Sequence, residues 1–236
     1  MTVAYFLNIT APASLGDALA AWARECLPRA LNGAGGARGA EVYLPTAEAA
    51  ADPLTDDGRG PALLLEVDFD DLAGLEAWVA SAEAGAFFET CPALARDDCH
   101  LDCEAFEVQR FPVAGEAMPS ARKAALSFVV RYYRPAADEA AFQAFYVAHH
   151  PPILGRFPGI RNVLCYLPLA WRNDSAIATS DCMLGNEVVF DSLADLDAAL
   201  ASEVRHELRR DYERFPPFSG AVTHHAMLRQ RLWSAS

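Results

Sequence analysis

The chain has 236 residues, which allows one large domain or two small ones of about 115 residues each. Hydrophobic residues make up 53% and charged residues 22%, which indicates a globular protein and argues against disorder. The net charge of −13 disfavours nucleic-acid binding, because phosphate contacts need a basic face.

The sequence also carries no membrane or secretion signal. No apolar run approaches the ~20 residues of a membrane-spanning helix. The first residues, MTVAYFLNIT, lack a positively charged start and alternate like a β-strand. We therefore expect a cytoplasmic protein.

Two segments of the chain resemble each other. Residues 66–81 read EVDFDDLAGLEAWVAS and residues 187–202 read EVVFDSLADLDAALAS, with ten of sixteen positions identical at an offset of 121. The sequence therefore predicts a tandem repeat. The first copy covers residues 1–111, a Pro- and Gly-containing linker covers 112–123, and the second copy covers 124–236.

The elements are clearest in the second copy. Alternation and β-branched or aromatic residues predict strands over 126–133, 160–167, 184–190 and 222–232. Asp138 or Glu139 begins a helix that Pro151-Pro152 should end. Ser192 should cap one further helix. The apolar positions of the two helices are Phe142, Phe145, Tyr146 and His149, and then Leu193, Leu196, Leu200, Val204 and Leu208.

The order β-α-β-β-α-β is that of a ferredoxin-like unit, and the fold class is α+β. Helices cover one face of such a sheet and leave the other face exposed, which is costly. Two copies can bury these faces against each other. We therefore expect one chain to form a dimeric α/β-barrel, with a ligand cavity between the sheets.

The second copy resembles the EthD-like family of the dimeric α/β-barrel superfamily over about residues 125–230. The matching residues are Tyr146, His150, Pro152, Ile153, the turn Pro158-Gly159-Ile160-Arg161, and the segment Glu187–Ser192 with Phe190 and Asp191. In the first copy, Cys26 stands in the place of His150 and no Pro-Gly turn follows. The resemblance implies a single His-dependent site. Members of the superfamily include cofactor-free isomerases, cyclases, decarboxylases and monooxygenases, and also haem proteins.

Two residues are candidates for catalysis. His150 can exchange a proton near neutral pH, although a histidine at a helix end can also bond the last carbonyls. His149, on the apolar stripe, should be packed. Strand alternation turns Val188 towards the helices and Glu187 towards the barrel interior. There Glu187 either forms a salt bridge to Arg131 or serves as a general acid/base beside His150.

Further residues are candidates for substrate binding. Arg131 and Tyr133 lie on the barrel-facing side of the first strand of the second copy. Tyr146, Arg131 and Arg161 would position a substrate oxygen. His225 should face the cavity and His224 the helices, although a shift of one residue would exchange them.

Because we expect no secretion signal, we also expect a reducing compartment in which the six cysteines are free thiols. The spacing Cys91…Cys99-His100-Leu-Asp-Cys103 lacks the paired CxxC of structural zinc sites, so we expect no metal. We also expect no cofactor, with haem as the weakest hypothesis.

The sequence thus favours a cofactor-independent enzyme that acts on a small hydrophobic, oxygenated molecule by proton transfer. Isomerisation, cyclisation, decarboxylation and oxygenation stay open. The alternative is a non-catalytic small-molecule-binding or accessory protein of a degradation pathway. The expected partner is a small molecule, with no nucleic acid and no membrane. A homodimer of barrel-forming chains stays open.

Overall fold

A computed structural model describes residues 2–48, 50–55, 57, 60–116, 121–122 and 124–235. Of the predicted linker 112–123, residues 117–120 and 123 lie outside these ranges. The first half contains strands β1 (Thr2–Thr10), β2 (Ala37–Pro45), β3 (Leu63–Phe69) and β4 (His100–Phe111). Its helices are α1 (Gly16–Ala30), which follows a short 3-10 turn, α2 (Leu72–Val79) and α3 (Ala82–Glu89).

The second half follows the same order with one added strand. Its strands are β5 (Leu126–Tyr133), β6 (Asn162–Pro168), β7 (Ala178–Thr179), β8 (Cys182–Phe190) and β9 (Val222–Ser234). Its helices are α4 (Glu139–Leu154), α5 (Leu193–Leu200) and α6 (Glu203–Tyr212). The short β7, which the sequence did not predict, pairs in parallel with β4. The domain limits remain a prediction.

Eight strands close into one antiparallel barrel, in the order β1-β3-β2-β9-β5-β8-β6-β4. The β1–β4 pairing completes the ring. The two halves join at β2–β9 and at β4–β6, so the inner face of each four-stranded sheet is covered by the other. The predicted α+β barrel within one chain is confirmed.

The strand alternation of β5 and β8 agrees with the prediction. Phe128, Val130 and Val188 pack under the helices of the second half. Val129 and Val189 belong to a separate apolar cluster inside the barrel. Each sheet therefore has two buried faces, and each face can hold a site.

Three local predictions were wrong. Helix α4 continues through Pro151 and Pro152 to Leu154. The two prolines remove backbone hydrogen-bond donors only in the last turn, and Pro151 and Leu154 of this turn are buried. The predicted long helix breaks at Ser202, whose hydroxyl donates to the carbonyl of Ala199. Strand β6 begins at Asn162, two residues later than predicted, because Gly159 adopts a turn conformation with φ of 76°.

None of the helices in the described part of the chain is long and apolar enough to cross a membrane.

Candidate functional site

A cavity of about 170 Å³ lies between helices α4 and α6 and the outer face of the sheet that β9, β5, β8 and β6 form. We call it the helix-side cavity. Its walls are mainly apolar, and a few polar side chains converge on it, which is typical of a small-molecule site. Its lining includes Phe128, Tyr132, Tyr146, His150, Asn186 and His224.

His150 is held at this cavity by a carboxylate. His150 is 7% exposed, and its Nδ1 lies 2.8 Å from Oδ2 of Asp211 on α6. An ionised Asp211 can only accept, so Nδ1 donates and Nε2 keeps a free lone pair. No hydrogen bond among the described residues uses Nε2. Burial lowers the pKa of His150, which keeps the imidazole neutral and able to take a proton.

The cavity also offers a hydrogen-bond donor that has no partner. Asn186 is 2% exposed, and its Nδ2 is buried without a hydrogen bond to any described residue. An amide left in this state is costly unless a ligand or water pairs with it. Tyr146 is fully buried between Tyr132 and His150, and it orders this wall of the cavity.

A second histidine–carboxylate pair and a loop from the first half complete the cavity. Nδ1 of His224 lies 2.6 Å from Asp57, and burial lowers the pKa of His224. Asp52, from the same β2–β3 connection, forms a largely buried ion pair with Arg205 of α6 at 2.9 Å. The first half therefore contributes the acidic side chains that close a cavity built by the second half.

Inside the barrel, one end is filled by a cluster of charges that we call the Arg122 cluster. Arg122 lies 2.8 Å from Glu41, 2.5 Å from Glu66 and 3.4 Å from Glu187. Hydroxyl groups satisfy the remaining carboxylate oxygens of the two central acids. Ser127 and Tyr166 donate to Glu187, Tyr43 donates to Glu66, and Arg229 and Arg231 add ion pairs to Glu41.

The acids of this cluster do not titrate alike. Burial raises the pKa of Glu66 to about 8, and the nearby Asp68 and Glu187 act in the same direction. The pKa of Glu41 is lowered, because three guanidinium groups outweigh its burial. Arg122 links acids of both halves, which makes this arrangement a structural joint between them.

The other end of the barrel holds a second cavity of about 170 Å³, which we call the barrel cavity. Arg131, Tyr133 and His225 line it, as predicted for the barrel-facing side. Burial raises the pKa of Tyr133 to about 12 and lowers that of His225. His224 lies on the opposite face, so the predicted strand phase is correct.

The structure separates residues that the sequence analysis had joined. His150 lies on the helix side of the sheet and Glu187 lies inside the barrel, so Glu187 cannot act beside His150. The sheet stands between them, because successive residues of a strand face opposite sides. The ion-pair partners of Glu187 are Arg122 and Arg229, and not Arg131. Arg161 is half-exposed and pairs with Asp191 away from both cavities.

The histidines of α4 also exchange roles. His150 bonds Asp211 and not the last helix carbonyls. His149 is exposed and stacks on Phe145, whereas the buried face is Phe142, Tyr146 and His150. The buried face keeps Phe142 and Tyr146 of the predicted stripe but is turned towards His150, by about half of the ~100° between successive residues.

Cys91 and Cys103 are buried, and all six cysteines are free thiols. Within the described ranges, no group of three His, Cys, Asp or Glu side chains is placed to hold a metal ion.

Several residues of the sites escaped the sequence analysis, among them Asp211, Asn186 and Arg122. Asp211 is an acid three residues after Leu208 on the buried face of α6, and Asn186 is polar on the same strand face as Val188. A polar residue on an apolar face was a usable signal in both cases. Arg122 gave no such signal, because it lies in the linker.

Comparison with solved structures finds this fold over the whole chain. An anthrone oxidase-like protein matches with a TM-score of 0.67 at 12% identity, covering 100% of this chain and 96% of that one. A protein described as a monooxygenase from Lactobacillus acidophilus NCFM matches with a TM-score of 0.56 at 10% identity, covering 98% and 95%. Another so described, from Fusobacterium nucleatum subsp. nucleatum, matches with a TM-score of 0.56 at 8% identity, covering 98% and 93%.

No protein-family model matches the chain, and no curated protein is similar to it in sequence. At these identities the structural matches bear on the fold and not on the reaction. The chain therefore has the dimeric α/β-barrel fold that these three proteins share.

Proposed function

We propose that the chain is a cofactor-independent enzyme that removes a proton from a small hydrophobic, oxygenated molecule in the helix-side cavity. The observation that carries the proposal is the buried His150–Asp211 pair at 2.8 Å on the wall of an apolar cavity. A carboxylate that fixes the tautomer of a neutral imidazole is a common way to build a general base. The resemblance of residues 125–230 to the EthD-like family supports His150 in this role.

Three side chains of the cavity, His150, Asn186 and Tyr146, have a place in the proposal. Nε2 of His150 takes a proton from carbon or oxygen of the substrate. Nδ2 of Asn186, which has no partner among the described residues, donates to the oxygen on which negative charge develops. Tyr146 supports the ring of His150 at a centroid distance of 4.8 Å. Among the four reaction types, oxygenation by O₂ is favoured by the names of the similar structures. In this proposal the enzyme works in the cytoplasm, where its cysteines stay reduced.

The test measures proton transfer without knowledge of the natural substrate. 2-Tetralone, a hydrophobic ketone with an acidic CH₂ group, is incubated with the protein in D₂O, and deuterium incorporation is followed by proton NMR. We expect the wild type to accelerate exchange, and His150→Gln to lower the rate by about 10²-fold or more. Oxygen consumption with anthrone tests the oxygenation branch separately.

His149→Gln is the matched control. His149 is the neighbouring histidine of α4, but it is exposed and lies outside the cavity. The His149→Gln variant should accelerate deuterium incorporation into 2-tetralone as much as the wild type does. Equal rates for His150→Gln and the wild type would refute His150 as the base. Absence of exchange and of oxygen consumption would favour the non-catalytic binding protein instead.

A further inference from the structure

The barrel cavity is separated from the helix-side cavity by the sheet and has a different character. Apolar side chains form most of its wall. Its volume, about 170 Å³, is close to the ~150 Å³ of an engineered apolar cavity that binds benzene. The apolar lining comprises Phe6, Leu64, Phe106, Val129 and Met227. One ring or a short chain would fit.

A buried cation without an ion-pair partner lines this cavity. Arg131 is 8% exposed, and no carboxylate among the described residues lies within 4.0 Å of it. Its Nη1 donates to the carbonyl of Val130 at 3.2 Å, whereas Nη2 is buried without a partner in the part of the chain that the structure describes. Buried charges are usually paired with an opposite charge, and this guanidinium lacks such an anion.

Aromatic rings and a glycine hold the guanidinium in place. Its Cζ lies 4.8 Å from the ring centre of Phe6, 5.7 Å from that of Phe106 and 5.2 Å from that of Tyr166. A Cβ at Gly185 would lie 2.6 Å from Nη1 of Arg131, so the strand beneath needs glycine there. Because the group is placed before any ligand arrives, little ordering cost would remain on binding.

The two acids of the cavity are partnered elsewhere. Burial raises the pKa of Glu104 to about 7, and its Oε1 accepts from the indole of Trp171 at 2.9 Å. Asp102 accepts from Asn8 at 3.0 Å and faces His100 at 3.4 Å. Neither acid neutralises the guanidinium.

One further donor position is open. His225 lines the same cavity, and its Nδ1 is buried without a partner among the described residues. Two unpartnered nitrogens at one small apolar cavity match an oxygen-rich group attached to an apolar body.

We infer that the barrel cavity binds a small monocarboxylate of about the size of benzoate, with the carboxylate on Arg131 and the apolar body against Phe6, Leu64 and Met227. A carboxylate supplies the missing anion and matches the planar donors of a guanidinium. The site is independent of the proposed function, since it lies on the opposite face of the sheet.

The test is titration calorimetry of the whole chain with sodium benzoate and, separately, with benzamide, which has the same shape without the charge. At about pH 6 benzoate is ionised and Glu104 is mostly protonated. We expect a Kd for benzoate on the order of 1 mM or tighter, and at least tenfold weaker binding of benzamide. This comparison needs no variant. Equal affinities for the two compounds, or no binding of benzoate at about 10 mM, would overturn the inference.

Two variants locate the site. Arg131→Met, which places a thioether among the same aromatic rings, should weaken benzoate at least tenfold and leave benzamide unchanged. His150→Gln should bind benzoate as the wild type does, because it changes only the helix-side cavity. Loss of benzoate binding in His150→Gln but not in Arg131→Met would place the carboxylate in the helix-side cavity and refute the inference.

Discussion

Replacing Arg122 by Met tests whether the Arg122 cluster joins the two halves of the barrel. The guanidinium is 8% exposed and is the shared partner of Glu41, Glu66 and Glu187. Methionine keeps much of the side-chain length but removes the positive charge. Three buried carboxyl groups then lose their common cation. Glu41 keeps its ion pairs with Arg229 and Arg231, so the cost falls mainly on Glu66, which must be protonated or reached by water.

The expected loss follows from the geometry. Breaking a buried ion pair on one side costs about 3–5 kcal/mol, because the charge that remains is uncompensated. For a chain of this size, 1 kcal/mol changes Tm by roughly 2–4 °C, so we expect a decrease of roughly 6–20 °C. The loss should grow with pH, because Glu66, without its Arg122 partner, binds a proton in the folded variant and releases it on unfolding.

Thermal unfolding followed by circular dichroism measures this loss. Arg38→Met is the matched control, since Arg38 forms an exposed pair with Asp70 on the surface, and it should melt with the wild type. If Arg122→Met melts within about 2 °C of the wild type near pH 8, the cluster is not the joint between the halves.

Three further predictions concern other parts of the barrel. Burial raises the pKa of Glu66 from 4.5 to about 8, so its stabilising contribution is complete at low pH and is lost as the pH rises through about 8. Glu66→Gln should therefore flatten the decrease in Tm between about pH 5 and about pH 9, and parallel curves would contradict this. Gly185→Ala should lower Tm and weaken benzoate, because its Cβ would meet the guanidinium of Arg131 at 2.6 Å; unchanged calorimetry and Tm would argue against a fixed guanidinium. Residues 1–118 alone should aggregate or self-dimerise on size-exclusion chromatography, because they expose a sheet face, and a cooperatively folding monomer would refute this.

The sequence correctly predicted which face of its strand several side chains occupy. Period-two alternation is local, so Val188, Glu187 and Arg131 were assigned to the correct sides of their strands. The buried face of α4 was harder to predict, because aromatic residues and histidines lie on more than one face of this helix. His149 and His150 differ by one position, and only packing against Phe215 and Asp211 selects which of them is buried.

The sequence by itself determined the order of elements, the internal similarity and the need for two sheets to cover each other. These properties follow from apolar periodicity and from the cost of an exposed sheet face. Tertiary structure alone decided that His150 meets Asp211, that Glu187 meets Arg122, and that two cavities lie on opposite faces of one sheet. Such partners are far apart in the chain and follow no period, so only the closure of the barrel and the docking of the helices bring them together.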